Sequence, residues 1–143
     1  MTEHSLWRFS RALQRAVNER QTDQLESVLD DNVDWAIYGP IDMFAFFGPR
    51  RGKRAAIDVI RQISETVQVH RYERESIMLG EDNAASLMRY TITPLKSGHR
   101  ISVRVAHFVQ FSGGRLTSLR ALVDTFDLVE QVLRRQIHLP QIA

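Results

Sequence analysis

The chain changes hydrophobic period once, near residue 69. Before that point apolar positions recur at helical spacing. Leu6, Phe9, Leu13, Ala16 and Val17, with Arg8, Arg11, Gln14, Arg15 and Asn18 between them, predict an amphipathic helix ending near residue 18. Thr22 is placed to cap a short second helix carrying Leu25, Val28 and Leu29 and ending near Asp30-Asp31-Asn32. The alternation in Val33-Asp34-Trp35-Ala36-Ile37-Tyr38 then predicts a short strand, stopped by Gly39-Pro40. An apolar stretch with Met43, Phe44, Phe46 and Phe47 follows, too short for a regular helix and bounded by Gly48-Pro49. From Gly52 to about Thr66 a third helix buries Ala56, Ile57, Ile60 and Ile63 and presents Arg54, Asp58, Arg61 and Glu65 to water.

Beyond it, segments 69–79, 84–95, 100–111 and 115–123 read as strands joined by Gly80-Glu81-Asp82-Asn83, Lys96-Ser97-Gly98-His99 and Ser112-Gly113-Gly114. Connections this short predict hairpins, hence an antiparallel sheet. A last helix, capped by Asp127 with Glu130 three residues on, turns Leu128, Val132 and Leu133 toward the body. Helices first and antiparallel strands after make an α+β fold with the helices on one face of the sheet, and strong bending turns that sheet into a cone.

At 143 residues the chain has the size of one domain, spanning 1–143, with a core able to surround a small pocket. The absence of cysteine excludes disulfides, thiolate metal sites and cysteine nucleophiles. The five histidines make no ligand-spaced cluster and there is no phosphate-binding glycine loop, so neither a metal nor a cofactor is expected. No apolar run reaches the length of a membrane span and the first residues lack a signal-peptide pattern, so a cytoplasmic protein without a membrane partner is expected.

Charge adds one asymmetry. The pI of 9.4 comes from a formal net charge of only +2, because nearly all the bases are arginine. A nucleic-acid partner is therefore not expected. Between Asn83 and Val123, however, Arg89, Lys96, Arg100, Arg104, Arg115 and Arg120 meet no acid at all; the next one is Asp124. Any of Arg89, Arg104 and Arg120 that points inward needs a carboxylate or an anionic ligand.

Two titratable residues stand out for chemistry. His107 shares a strand face with Val103, Val105 and Val109, a lone polar group on an apolar stripe. Asp124 ends the last strand in phase with Leu122 and Arg120, unless a bulge shifts that phase. If the two face each other, they form a proton-passing pair at neutral pH. Trp35, Tyr38, Phe44, Phe46 and Phe47 can wall a pocket for a flat apolar ligand.

Val33-Asp34-Trp35, Gly39-Pro40, Phe46-Phe47-Gly48-Pro49, Arg51-Gly52, His107-Phe108, Phe111-Ser112-Gly113-Gly114-Arg115-Leu116 and Val123-Asp124-Thr125 occur in an order and spacing that span nearly the whole chain. In these motifs the chain resembles the SnoaL-like, ketosteroid-isomerase-related family of the nuclear-transport-factor-2-like superfamily. The resemblance implies a cystatin-like cone, with three N-terminal helices packed on a strongly curved antiparallel sheet and a short C-terminal helix.

It also implies a homodimer through the outer sheet face and a small apolar ring or carbonyl compound in the cone. Asp124 would then be the acid/base and His107 its helper, with Arg120 steadying negative charge. The positions of the steroid isomerase's catalytic tyrosine and aspartate are held by Leu13 and Trp35. Arg89-Tyr90-Thr91 with Asp124 supplies only one carboxylate of the epoxide-hydrolase pair. Both of those reactions are disfavoured, leaving isomerase, cyclase or dehydratase-like chemistry, or a binding or dimerisation module of the same fold.

Overall fold

The computed structural model describes residues 3–142 of the chain. Two helices, α1 (Ser5–Asn18) and α2 (Asp23–Val28), lead into strand β1 (Leu29–Tyr38), which a loop joins to the short strand β2 (Gly48–Arg51). Helix α3 (Lys53–Thr66) precedes four long strands, β3 (Val67–Leu79), β4 (Asn83–Pro94), β5 (Ile101–Ser112) and β6 (Arg115–Val123), and helix α4 (Thr125–Leu133) follows them. The fold is thus α+β, as the change of period predicts.

Helix α1 buries Leu6, Phe9, Ala12 and Ala16. Its cap is His4, whose Nδ1 accepts from the Leu6 N–H at 3.0 Å while Nε2–H donates to the Gly80 carbonyl at 2.8 Å. One imidazole thereby satisfies an orphan helix donor and ties α1 to the β3–β4 turn. Gly52 begins α3 at φ +95°, a conformation that favours glycine.

The strands form one sheet in the order β2-β1-β6-β5-β4-β3. The hairpins among β3 to β6 are antiparallel, as expected, but β1 lies parallel to β6, pairing Trp35 with Leu119 and Ile37 with Ala121. β1 precedes α3 and β6 ends the meander that follows it, so the long crossover that a parallel pair needs is available. Strand β2 is too short to leave a periodic signal, and β1 starts at Leu29, earlier than its alternation indicates.

Register shifts between Val69 and Arg71, between Arg74 and Ser76, and at Gln110/Phe111 mark where β3 and the β5–β6 ladder bend. Bending wraps the sheet around α1 and α3, which sit on its concave side. The cap of α4 is Asp124 and not Asp127, which lies inside the first turn and accepts from Gln131 Nε2 at 2.8 Å. Gln131 in turn holds the Ser102 N–H at 2.9 Å and the Ser102 carbonyl at 2.6 Å, occupying backbone groups of β5 beyond the end of β6. Helix α4 is docked by this clamp with Leu128 turned inward.

Candidate functional site

Period-two alternation decides which strand residues meet the helices. On β4 these are Ser86, Met88, Tyr90 and Ile92; on β5 they are Val103, Val105, His107 and Val109; on β6, Leu119, Ala121 and Val123. Together with Trp35 and Ile37 of β1 and with α1, α3 and Leu128, they enclose a cavity of about 230 Å³. Its walls are overwhelmingly apolar. The loop after β1 closes one side: Phe44, Phe46 and Phe47 pack ring against ring at centroid distances of 4.8 to 5.9 Å. Gly39 permits that closure, since a Cβ there would lie 2.7 Å from the Phe47 ring.

Deep in this space Tyr90 Oη and His107 Nε2 are hydrogen-bonded at 3.1 Å, reaching toward each other along the concave face from neighbouring strands. Burial governs the protonation of both. It pushes the imidazole of His107 down to about 4 and the Tyr90 phenol up to about 12, so both are neutral at pH 7. In a neutral pair the histidine tautomer sets the direction: with the proton on Nδ1 the phenol donates to a bare Nε2, and with it on Nε2 that N–H donates to the phenol oxygen, whose own proton turns away. The guanidinium of Arg74, also among the lining residues, opposes part of the rise at Tyr90.

The expected residues divide between the two faces of the sheet. His107, Trp35, Phe44, Phe46 and Phe47 line the cavity. Trp35 is 1% exposed, and its Nε1–H has no acceptor among the described residues, a cost of about 1–3 kcal/mol. Leu13 lines the cavity as well.

Asp124, Arg120 and Tyr38 are elsewhere, and the expected facing of Asp124 and His107 is not formed. No bulge shifts the end of β6, so Asp124 keeps the phase of Arg120 and Leu122 and lies exposed on the convex side, its backbone N–H donating to the Arg104 carbonyl at 3.0 Å. Arg120 is taken by Asp34, with Nη2 donating to the carboxylate at 2.6 Å. That hydrogen bond, opposed by partial desolvation and helped by the charges of Arg120 and Arg51, holds the Asp34 carboxyl below the usual carboxylate range. Tyr38 alternates away from Trp35 and Ile37 and is 45% exposed. Arg89 and Arg104 also face outward, both on Glu75 at 3.3 and 3.0 Å.

Tyr90, which lines the cavity and meets His107, is not among the residues the sequence singles out for chemistry. The signal was present, since Tyr90 alternates with Met88 and Ile92 opposite the Val103–Val105 stripe. It was hidden by reading Arg89-Tyr90-Thr91 for its arginine.

A family model described as a SnoaL-like domain matches residues 10–119. Among solved structures, a candidate isomerase from Rhodopseudomonas palustris is 63% identical with a TM-score of 0.91, the match covering 94% of this chain and all of that one. An NTF2-like protein from Burkholderia xenovorans LB400 is 18% identical, covering 88% and 91% of the two chains with a TM-score of 0.74. An LEH-like epoxide hydrolase from M. tuberculosis is also 18% identical, covering 91% and 90% with a TM-score of 0.69. The last two share the fold. No curated protein matches the chain. No described helix is long and apolar enough to cross a membrane.

Proposed function

The chain belongs to the SnoaL-like domain family, and from that premise we propose that it acts as a single domain over residues 1–143. It binds a small ring or carbonyl compound in the cone and shifts a proton on it through His107 and Tyr90. The observation that carries the reading is the neutral Tyr90–His107 pair buried in an otherwise apolar cavity. An apolar chamber with few convergent polar groups is the usual form of a small-ligand site, and about 230 Å³ fits a compound of one or two rings. The 63% identity to a candidate isomerase supports proton transfer over passive storage.

Tyr90 gives its hydrogen bond to the substrate oxygen, where negative charge develops. The turn of the phenol frees Nε2 of His107 to accept the migrating proton. A base of such low proton affinity works only on a proton made acidic by a neighbouring carbonyl, which restricts the substrate class. The aromatic rings of Trp35, Phe44, Phe46 and Phe47 supply the fit.

The convex face supports a homodimer. Met78, Phe108 and Leu122 are exposed on it at 73%, 48% and 50%, an apolar patch beside Arg120. Light scattering is expected to give a dimer mass that Phe108→Glu halves.

For the site, native mass spectrometry of freshly purified protein is expected to show an adduct that denaturation releases as a ring or carbonyl compound. Tyr90→Phe and His107→Gln are each expected to slow its conversion by about 10²-fold. Conversion untouched by both variants removes the proton-transfer role and leaves binding. The absence of any adduct, with no binding of phenylacetone at millimolar concentration, removes the reading altogether.

A further inference from the structure

The strand β3 carries the sequence Arg71-Tyr72-Glu73-Arg74-Glu75, and alternation sorts it cleanly. Glu73 and Glu75 face outward, Glu73 on Arg71 at 2.8 Å and Glu75 shared by Arg89 and Arg104. Tyr72 and Arg74 face the cavity, opposite Tyr90 and Met88 of β4. Both acids next to Arg74 are therefore on the other side of the sheet and already paired.

Among the lining residues Arg74 is the one that carries a charge at neutral pH, and no carboxylate lines the cavity among the described residues. Arg74 makes no ion pair there; its guanidinium lies 4.6 Å from the centroid of the Trp7 ring. Ser10, Gln14 and Asn18 follow one another at four-residue intervals along the face of α1 that lines the cavity. The interior around Trp35, Val105 and Leu119 is apolar. Arg74 is exposed to solvent, so it marks the mouth of the cone and not its floor.

Resting on the proposal that the cone binds a ring or carbonyl compound, we propose that this compound is a monoanion, with its ring in the apolar interior and a carboxylate held at the mouth by Arg74. A guanidinium fork suits a carboxylate, and stacking on Trp7 restricts its motion before the ligand arrives. An unpaired cation at an apolar mouth also draws anions in and rejects cationic rings of the same shape. The class is thus a small aryl or alicyclic acid, its carboxylate set off from the ring by one or two carbons so that it spans from interior to mouth.

Trp7 and Trp35 provide the readout, as both lie in or beside the site. Binding of 3-phenylpropionate and of its neutral isostere 3-phenylpropanamide is followed by tryptophan fluorescence and calorimetry at pH 7.5. The acid is expected to bind about tenfold more tightly than the amide at low salt, with the gap closing as salt rises. Arg74→Gln is expected to erase the gap while leaving amide affinity unchanged, which also shows the variant folded; Arg74→Lys retains part of it. Equal binding of acid and amide by the native chain overturns the monoanion and leaves the cone-binding reading standing. A preference for the acid that persists in Arg74→Gln likewise overturns the role of Arg74. If neither probe binds at millimolar concentration, both proposals fall together.

Discussion

The concave and convex faces of the sheet are built from alternate residues of the same strands, yet they handle polarity in opposite ways. On the convex face every strand arginine that the sequence flagged has a carboxylate: Arg89 and Arg104 meet Glu75, and Arg120 meets Asp34. Those groups are charged, half-exposed and mutually satisfied. On the concave face the titratable pair Tyr90–His107 is uncharged, and among the described residues the single cation of the lining, Arg74, stands at the edge without a carboxylate. Charge is thus cancelled where water is present and kept out where it is not. Among the described residues the one buried side-chain donor left without a partner, Trp35 Nε1, also lies on the concave side.

Crossing the boundary between the faces gives the largest expected effect. Val105→Asp places a carboxylate in the apolar cavity wall and is expected to cost more than about 3 kcal/mol of stability in urea unfolding. Gln110→Asp, on the convex face of the same strand, is expected to change stability by less than about 0.5 kcal/mol. Equal costs would dissolve the distinction.

Next in size is the pH dependence. The folded pKa of His107 is depressed by burial, to about 4 from its ordinary 6.5, so between those pH values the unfolded chain binds the proton and the folded chain does not. Stability is therefore full above about pH 6.5 and is lost as pH falls toward 4, by about 3 kcal/mol in all. The carboxylates Glu75 and Asp34 have folded pKa values below their ordinary ones, so their contribution is lost at lower pH still. His107→Gln should flatten the upper window and leave the lower one; an unchanged slope would place His107 in water.

The smallest expected effect is on the convex side. Glu75→Gln should lower the melting temperature slightly, by less as salt is added, and leave probe affinity in the cone unchanged. A loss of affinity would show that the two faces are coupled.

Much of this contrast was legible in the sequence. Helices α1 and α3 and strands β3 to β6 follow their hydrophobic periods, and His107 announces itself as a polar group on the Val103–Val105–Val109 stripe. Phase also contained the answer for Asp124 and Arg120. Both keep step with Leu122, and only an anticipated bulge or a family analogy turned them inward.

What period could not supply was partnership across sequence distance. Arg120 finds Asp34, 86 residues away, through the parallel β1–β6 pairing, which no hairpin signal predicts. Arg74 stands in a run of mixed charge, and only the sheet separates it from Glu73 and Glu75. The cap of α4 moved from Asp127 to Asp124 because helix starts are set by where the strand releases the backbone, a tertiary fact.

The measurement that tests the central claim most directly is the titration of the His107 ring by nuclear magnetic resonance, with and without phenylacetone. A buried histidine bonded to Tyr90 in a ligand-binding cone should stay neutral down to about pH 4, and its ring resonances should shift when the ketone is added. A His107 that titrates near its ordinary value and ignores the ketone would contradict the account.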